Sequence, residues 1–130
     1  MRSGLMFAAL AGLSAVAMGA FAAHGLKASL QAESLAVLQT AVQYQLWHAL
    51  ALLWVCQRQV THPGRSLRVA AACFVGGILC FSGSLYLLIL AHWPMGLVTP
   101  IGGLLLMAGW AALLYHGATS LNASKPAPRP

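Results

Sequence analysis

The hydrophobic positions of this chain fall into four runs, separated by short polar or proline-containing segments. Three of these runs, residues 5–23, 69–91 and 98–115, are close to the ~20 residues that a helix needs to cross a bilayer core of roughly 30 Å. We therefore expect each of the three to form a membrane-spanning helix.

The second run is interrupted by polar residues. Its purely apolar part, residues 49–56, is too short to cross a membrane alone. A second span over residues 41–57 must therefore include several polar side chains: Gln43, Tyr44, Gln45 and His48. With this span the chain becomes an all-α, four-helix membrane bundle.

The segment before the second span is also predicted to be helical, because residues 27–57 contain neither Gly nor Pro. One straight helix over this stretch would be roughly 45 Å long at 1.5 Å per residue, which exceeds the bilayer core. We expect a short interfacial helix over residues 27–40 that turns into the second span. Its apolar edge would be Leu35, Leu38, Val42 and Leu46.

The composition supports a membrane setting. Hydrophobic residues make up 60% of the chain, with seven Lys and Arg and a single acidic residue, Glu33. Soluble domains carry about 25% charged residues, so a water-soluble fold is excluded. The net positive charge does not indicate a nucleic-acid partner, because the basic residues sit at the ends of apolar runs. Glu33 lies between the first two spans, where a helix N-terminus favours a carboxylate.

The distribution of the basic residues predicts the orientation. Arg2 precedes the first span, three arginines lie between spans two and three, and two basic residues follow span four, whereas Lys27 alone lies in the other loops. The positive-inside rule then places both termini in the cytoplasm. We expect a membrane domain over residues 1–118 and a disordered, proline-rich cytoplasmic tail over residues 119–130.

The first run has an alternative interpretation as a signal peptide. Arg2 provides a charged start, and Ala20-Phe21-Ala22 is similar to a small-residue cleavage site. The apolar run is longer than the usual ~7–15 residues of a signal core, which favours a retained span.

Glycines recur at one spacing in three of the four runs. Each run carries a pair seven residues apart, and seven residues are two helical turns, so both members lie on one face. Small residues on one face let membrane helices approach closely. We therefore predict helix-packing seams at these positions: Gly12, Gly19, Gly76, Gly83, Gly102 and Gly109.

Polar residues from all four spans are expected to meet in the outward half of the bundle. They form a candidate polar site: His24, Gln43, Tyr44, His48, Ser82, Ser84, Tyr86 and Thr99. Two interpretations remain open. The side chains either hydrogen-bond across helices as structural groups, or they line a hydrated cavity for an ion, lipid or quinone.

Catalysis and cofactor binding have little support in the sequence. Haem or metal at His24 and His48 is not favoured, because neither belongs to an HxxxH or HxxH pair. The three cysteines show no CxxC spacing and are interpreted as small apolar residues. A serine nucleophile would lack a carboxylate to orient its base within the membrane. We predict no catalytic residue and no cofactor.

Four stretches resemble the DUF423 family of small membrane proteins, which includes the bacterial YgdD/YwdK-type and eukaryotic transmembrane protein 256-type members. They are residues 19–26 (GAFAAHGL), 42–51 (VQYQLWHALA), 81–86 (FSGSLY) and 99–103 (TPIGG). The resemblance covers about residues 4–115 and departs from the family pattern at Ala22, where Gly is frequent. It implies a multi-span protein of the bacterial inner membrane and assigns no activity, substrate or catalytic residue.

We therefore expect a non-enzymatic membrane protein with a structural or accessory role, surrounded by lipid and assembled as a homo-oligomer or within a larger membrane complex. The alternative is a membrane protein that binds a small molecule, lipid, metal, haem or ion at the candidate polar site.

Overall fold

The protein is represented by a computed structural model that describes residues 2–123, and the side chains of residues 2–120. The described residues form helices joined by turns and loops and contain no strand. Its helices are α1 (Arg2–His24), α2 (Ala32–Thr61), α3 (Arg65–Gly77), α4 (Gly83–Leu90) and α5 (Val98–Ala123). A π-helical turn, Ile78–Ser82, joins α3 and α4 into one rod. The prediction of an all-α protein is confirmed.

Three helices in the described chain are long and apolar enough to cross a membrane. They are α1, the continuous rod Arg65–Leu90, and the segment Val98–Ser120 of α5. The helix α2 is the longest, at 30 residues, but is not among them, because glutamines and a histidine interrupt its apolar residues. α5 extends past the expected boundary at residue 118, and the rest of the predicted tail, residues 124–130, lies outside the described residues.

A separate interfacial helix over residues 27–40 is not confirmed. Residues 25–30 form turns, in which the amide of Leu30 donates to the carbonyl of Leu26 across 2.9 Å. α2 then begins after the extended residue Gln31 and continues without a break to Thr61. The absence of Gly and Pro after Leu30 explains this continuity. Glu33 is exposed in the first turn of α2, where the helix dipole favours a carboxylate.

The helices pack in series. The two most extensive contacts are those of α1 with α2 and of α5 with α3, while α2 also packs along α3, the π turn and α4. Thus α2 and the α3–α4 rod form the centre, and α1 and α5 flank them. Each helix keeps an exposed apolar face, as expected for helices that contact lipid.

The buried face of α2 follows a regular three-four spacing. Its members are Leu38, Ala41, Gln45, His48, Leu52, Val55 and Gln59. This is the heptad spacing that keeps one seam of a helix against its neighbours. Leu52 and Val55 belong to the main apolar core, together with Ala8 of α1, Phe74 of α3 and Leu106 of α5. Three polar residues, Gln45, His48 and Gln59, therefore occupy buried positions on this face.

The π turn changes which face of the α3–α4 rod is buried. The amide of Gly83 donates to the carbonyl of Ile78, five residues back, so one extra residue is accommodated. Before the turn the buried positions include Ala70, Phe74 and Gly77. If this spacing continued without an inserted residue, the next buried position would be residue 81. Instead Ser82, one residue later, is buried. The inserted residue thus directs Ser82 towards α2.

The glycines divide into close and open positions. A Cβ atom on Gly102 would lie 2.7 Å from the Cα atom of Phe81 in the π turn, and one on Gly109 would lie 2.6 Å from the Phe74 ring. Gly19 and Gly76 have looser neighbours, each 3.3 Å from such a Cβ atom.

Gly12 and Gly83 depart from the expected seams, since a Cβ atom there has nothing within 4 Å. A further close approach, of Gly77 to Leu106, was not predicted. The closest glycine contacts therefore lie between α5 and the α3–π segment.

Candidate functional site

Gln45 lies at the centre of the polar contacts between helices. Its Nε2 atom donates to the carbonyl of Ala11 and to Oγ of Ser14, both across 2.8 Å. Its Oε1 atom accepts the hydroxyl hydrogen of Tyr86 across 2.7 Å. Both amide hydrogens and the carbonyl oxygen are thus used, which fixes the orientation of the amide group. The buried Gln45 side chain connects α2 to α1 and α4.

Two serines make the next contacts, towards the N-terminal ends of α2 and α5. The buried hydroxyl of Ser82 donates to the carbonyl of Ala41 across 2.8 Å and so joins the π turn to α2. Ser84 is also buried, and its hydroxyl lies 2.9 Å from the carbonyl of Phe81 and 2.6 Å from Oγ1 of Thr99. The Thr99 contact ties the first turn of α5 to α4.

His48 connects α2 to α5. The indole nitrogen of Trp110 donates to Nε2 of His48 across 3.1 Å. An indole N–H can only donate, so Nε2 is the accepting nitrogen and the ring proton is on Nδ1. Nδ1 then donates to the carbonyl of Tyr44 across 2.6 Å. Both ring nitrogens of this buried, neutral imidazole are therefore engaged.

Aromatic rings surround His48. Phe74 and Trp110 pack edge-on with ring centroids 5.4 Å apart, and each also contacts the His48 ring. On the other side Tyr44 lies between His48 and Phe81, with centroids 5.9 Å and 4.7 Å away. The polar atoms of His48 are thus enclosed by apolar and aromatic surface.

The structure does not bring all the predicted site residues together. The hydrogen bond between Gln45 and Ser14 places these two residues at the same level of the bundle. His24 is exposed ten residues after Ser14, at the end of α1. His48 lies three residues after Gln45 and on the other side of this level, because α1 and α2 run in opposite directions. At 1.5 Å per residue the two histidines are separated by roughly 20 Å along the bundle. Gln43 is exposed, and Tyr44 contributes its ring and its carbonyl. The remaining members make the contacts described above, which extend from His48 near the middle of α2 to Thr99 at the start of α5.

Several important residues were not among the predicted ones. Gln45 was noted only as an interruption of the second run, while Ser14 and Trp110 were not identified. The three-four spacing of buried residues on α2 would have selected Gln45, because it continues the positions of Leu38 and Ala41. No comparable signal marks Trp110, since its role depends on how α5 packs against α2.

The polar cluster leaves few groups free for chemistry. Over residues 2–120, the only buried side-chain nitrogen or oxygen without a hydrogen-bond partner is Nε2 of His116, whose Nδ1 lies 3.2 Å from Oγ of Ser66. This pair lies at the end of the bundle opposite Ser84. Within the described residues, no group of three His, Cys, Asp or Glu side chains is placed to hold a metal ion.

Two grooves border the cluster. One, of about 320 Å³, is lined by Ser14, Gln45 and Tyr86 among others. The other, of about 430 Å³, is lined by Tyr44, His48 and Trp110. The polar side-chain atoms of Ser14, Gln45 and Tyr86 and both ring nitrogens of His48 already have hydrogen-bond partners, so a ligand would have to break those contacts to use them. The hydroxyl of Tyr44 in the second groove has no hydrogen bond within the described residues.

Comparison with known proteins gives the family. The family model described as "Protein of unknown function (DUF423)" matches residues 18–103, which include the Ser82, Ser84, Gln45 and Thr99 positions. The chain belongs to the DUF423 family.

Curated relatives of this DUF423 protein are membrane proteins. A UPF0382 membrane protein of Haemophilus influenzae is 41% identical over 112 residues, covering 85% of this chain and 90% of the relative. The UPF0382 inner membrane protein YgdD of Escherichia coli K12 is 38% identical over 119 residues, covering 91% and 90%. A UPF0382 membrane protein of Staphylococcus aureus is 40% identical over 113 residues, covering 85% and 90%.

These comparisons confirm the recognition of the family and a membrane protein of unsettled activity. Neither the family description nor these relatives' names include an enzymatic activity. No solved structure matches the chain.

Proposed function

We propose that this DUF423 protein is a non-enzymatic, four-span protein of the bacterial inner membrane that acts as a structural or accessory component of a membrane assembly. The observation that carries this proposal is the bonding of Gln45. Its amide is fully used in joining α2 to α1 and α4, so the most polar buried group of the bundle serves packing.

The proposal requires α2 to cross the membrane although it is the one of the four proposed spans that is not apolar enough to be recognised as membrane-spanning. A buried amide or imidazole is tolerated in hydrocarbon when neighbouring helices satisfy its hydrogen-bonding groups. Gln45 and His48 meet this condition through contacts to α1, α4 and α5. Part of the polarity that lowers the hydropathy of α2, at Gln45 and His48, is thus directed inward, while its exposed positions carry Gln43 as well as Trp47, Leu50 and Trp54.

The orientation follows from the charged ends. Arg2 borders a groove with Gln57 and Val60, so the start of α1 lies beside the end of α2. Arg58, Arg65 and Arg68 lie at this same end, whereas Lys27 and Glu33 lie at the other. The positive-inside rule favours a cytoplasmic location for the arginine-rich end and both termini.

The partner-binding face we propose lies on α2 and α5. Trp47, Trp54 and Trp110 are each half exposed on these helices. Membrane tryptophans favour the bilayer interfaces, yet Trp47 lies two residues from Gln45, near the middle of α2. Large aromatic side chains are also the residues that anchor protein interfaces. The glycines Gly102 and Gly109 are not available for association, because they contact α3 and the π turn.

Cysteine accessibility tests the four-span topology. Cys56, Cys73 and Cys80 are the free cysteines of the described chain and would be replaced by Ala. Single cysteines are then introduced as Ser29→Cys and His62→Cys, at opposite ends of α2. A membrane-impermeant maleimide added to intact spheroplasts should label the first variant and not the second. Labelling of both before lysis would show that α2 does not cross.

Native mass spectrometry of the full chain, extracted in mild detergent, tests the accessory role. We expect a complex of fixed stoichiometry, either of identical chains or with another membrane protein, at low and high expression levels. A monomer at every level would contradict the accessory role without affecting the topology.

A further inference from the structure

A groove runs between α1 and α3 at the arginine-rich end of the molecule. It has a volume of about 620 Å³ and is floored by Val55, Cys56 and Gln59 of α2. Its walls are low because small residues line both sides, among them Gly4 on α1 and Ala72 and Gly76 on α3. The volume is within the ~300–1,000 Å³ range of ligand pockets.

The polar groups of this groove gather at one end. Ser3, Gln59 and Arg68 lie there, and Arg68, Ala72 and Gly76 follow one another at four-residue intervals on α3. Such spacing keeps residues on one helix face, so the groove has a cationic entrance and an apolar interior. The side-chain carbonyl oxygen of Gln59 accepts a hydrogen bond from the backbone N–H of Gly64 across 3.5 Å. The side-chain amide nitrogen of Gln59 remains as a further donor.

The positive charge at this entrance has no carboxylate side chain to neutralise it. The only one in the chain is Glu33, in the first turn of α2. Arg58 lies 25 positions further along that helix, roughly 37 Å away at 1.5 Å per residue. Within the described residues the guanidinium group of Arg68 forms neither an ion pair nor a hydrogen bond with protein groups. An anion that neutralises the positive charge of this entrance must therefore come from outside the described chain.

We propose that this groove binds an anionic phospholipid of the cytoplasmic leaflet. The headgroup phosphate contacts Arg68, with Ser3 and Gln59 as hydrogen-bond donors, and one acyl chain lies against Gly4, Ala72 and Gly76. Basic pockets between membrane helices on the cytoplasmic side are suited to anionic headgroups. A second copy of the chain fits less well, because it would bring the same positive charge to the same entrance.

The length of the apolar path fits a lipid chain. Further along α1 and the α3–α4 rod, Leu79 and Gly83 line the separate 320 Å³ groove between α1 and α4. From Arg68 to Gly83 the path covers 15 positions, roughly 22 Å, and one leaflet of the hydrocarbon core is about 15 Å deep. The path is thus long enough for a complete acyl chain.

The inference rests on the four-span topology of the proposed function and is independent of the accessory role. The test is native mass spectrometry of the full chain, titrated with dioleoylphosphatidylglycerol or with dioleoylphosphatidylcholine, which has the same acyl chains and no net charge. We expect several-fold higher occupancy by the anionic lipid. This comparison uses the unaltered protein, so it tests the lipid-binding proposal even if a variant fails to fold.

Two matched pairs of variants locate the site. Arg68→Gln should lower the affinity for phosphatidylglycerol about fivefold, whereas Arg65→Gln, an exposed arginine outside the groove, should leave it unchanged. Ala72→Leu should fill the groove and lower occupancy by both lipids, whereas Ala111→Leu on the exposed face of α5 should not.

Three results would overturn the proposal. Equal occupancy by the two lipids would show that the groove does not recognise an anionic headgroup. Equal effects of Arg68→Gln and Arg65→Gln would indicate unspecific surface attraction. Displacement of the lipid by an equal concentration of inorganic phosphate would identify a site for a free anion. The cysteine labelling described above reports separately on the topology, so failure of the lipid site is distinguishable from failure of the four-span arrangement.

Discussion

The hydroxyl of Tyr86 donates to Oε1 of Gln45 across 2.7 Å, between two central helices of the bundle. Tyr86 lies in α4, and helical side chains lean towards the N-terminus of their own helix, so its ring reaches back to Gln45. The same Gln45 amide donates to Ala11 and Ser14 of α1. One side chain of the most polar helix thereby holds two apolar helices, and we interpret the polarity of α2 as a packing device.

Replacing Gly102 should destabilise the bundle. In Gly102→Ala the added methyl group would meet the backbone of Phe81, and backbone cannot move aside as a flexible side chain can. Overpacking of this kind costs about 1–3 kcal/mol. Thermal unfolding in detergent, followed by circular dichroism, measures the loss.

Gly83→Ala is the matched control for this substitution. Nothing lies within 4 Å of its added Cβ atom, and Ala is favoured over Gly in a helix by up to about 1 kcal/mol. The control should be neutral or stabilising. Equal melting temperatures for the two variants would contradict the close approach of α5 to the π turn.

His92, which follows α4 and Ala91, has an unfavourable backbone conformation, with φ of 56°. Left-handed backbone costs a residue with a Cβ atom about 1–2 kcal/mol, and glycine avoids this cost. His92→Gly should therefore raise the melting temperature. Ala91→Gly serves as the control because Ala91 is right-handed, with φ of −108°, and it should be neutral or destabilising. A lower melting temperature for His92→Gly than for the wild-type protein would refute the expectation.

The sequence predicted the all-helical fold, because apolar runs of membrane-spanning length carry a strong signal. Choosing the residues of the site was harder. A four-residue spacing on α2 selects Tyr44 and His48, but the buried face alternates steps of three and four and passes through Gln45. The choice between a constant four-residue spacing and an alternating three-four spacing therefore decides whether Tyr44 or Gln45 is predicted to be buried.

The burial of Ser82 also depends on a feature that hydropathy does not reveal. The π turn inserts one residue and moves the buried face of the rod from the position of Phe81 to that of Ser82. The prediction placed His24 beside His48 because both were expected in the outward half of the bundle. The contact between Gln45 and Ser14 fixes the alignment of α1 and α2 and places the two histidines far apart. Such alignment is a tertiary property that helix periodicity alone does not determine.

Added zinc or haemin should not stabilise the protein through His48. Its Nε2 atom accepts the indole hydrogen of Trp110 and its Nδ1 atom is bonded to the carbonyl of Tyr44, so a metal would have to displace one of these bonds. We expect no change in melting temperature with either ligand and no histidine-ligated haem spectrum. Stabilisation that is lost in His48→Phe and kept in His62→Phe would contradict this expectation.

The aromatic face of α2 and α5 should control assembly. Trp47→Leu removes a half-exposed ring near the middle of α2, and we expect the complex to dissociate at least tenfold more readily, since hot-spot aromatics contribute about 2 kcal/mol or more. Trp93→Leu is the control because Trp93 is equally exposed but lies in the loop after α4. Mass photometry over a dilution series would report the dissociation. Identical curves for the two variants would exclude this face as the interface.

The central claim is that polar side chains of α2 hold the bundle together, and a double-mutant cycle between Gln45→Leu and Tyr86→Phe tests it most directly. Reversible unfolding in mixed micelles gives the free energy of unfolding of the wild-type protein, the two single variants and the double variant. A parallel cycle with the exposed Gln43→Leu is the control. We predict a coupling between about 0.6 and 1.7 kcal/mol for Gln45 with Tyr86, and none for Gln43. A coupling indistinguishable from zero for both pairs would contradict the claim.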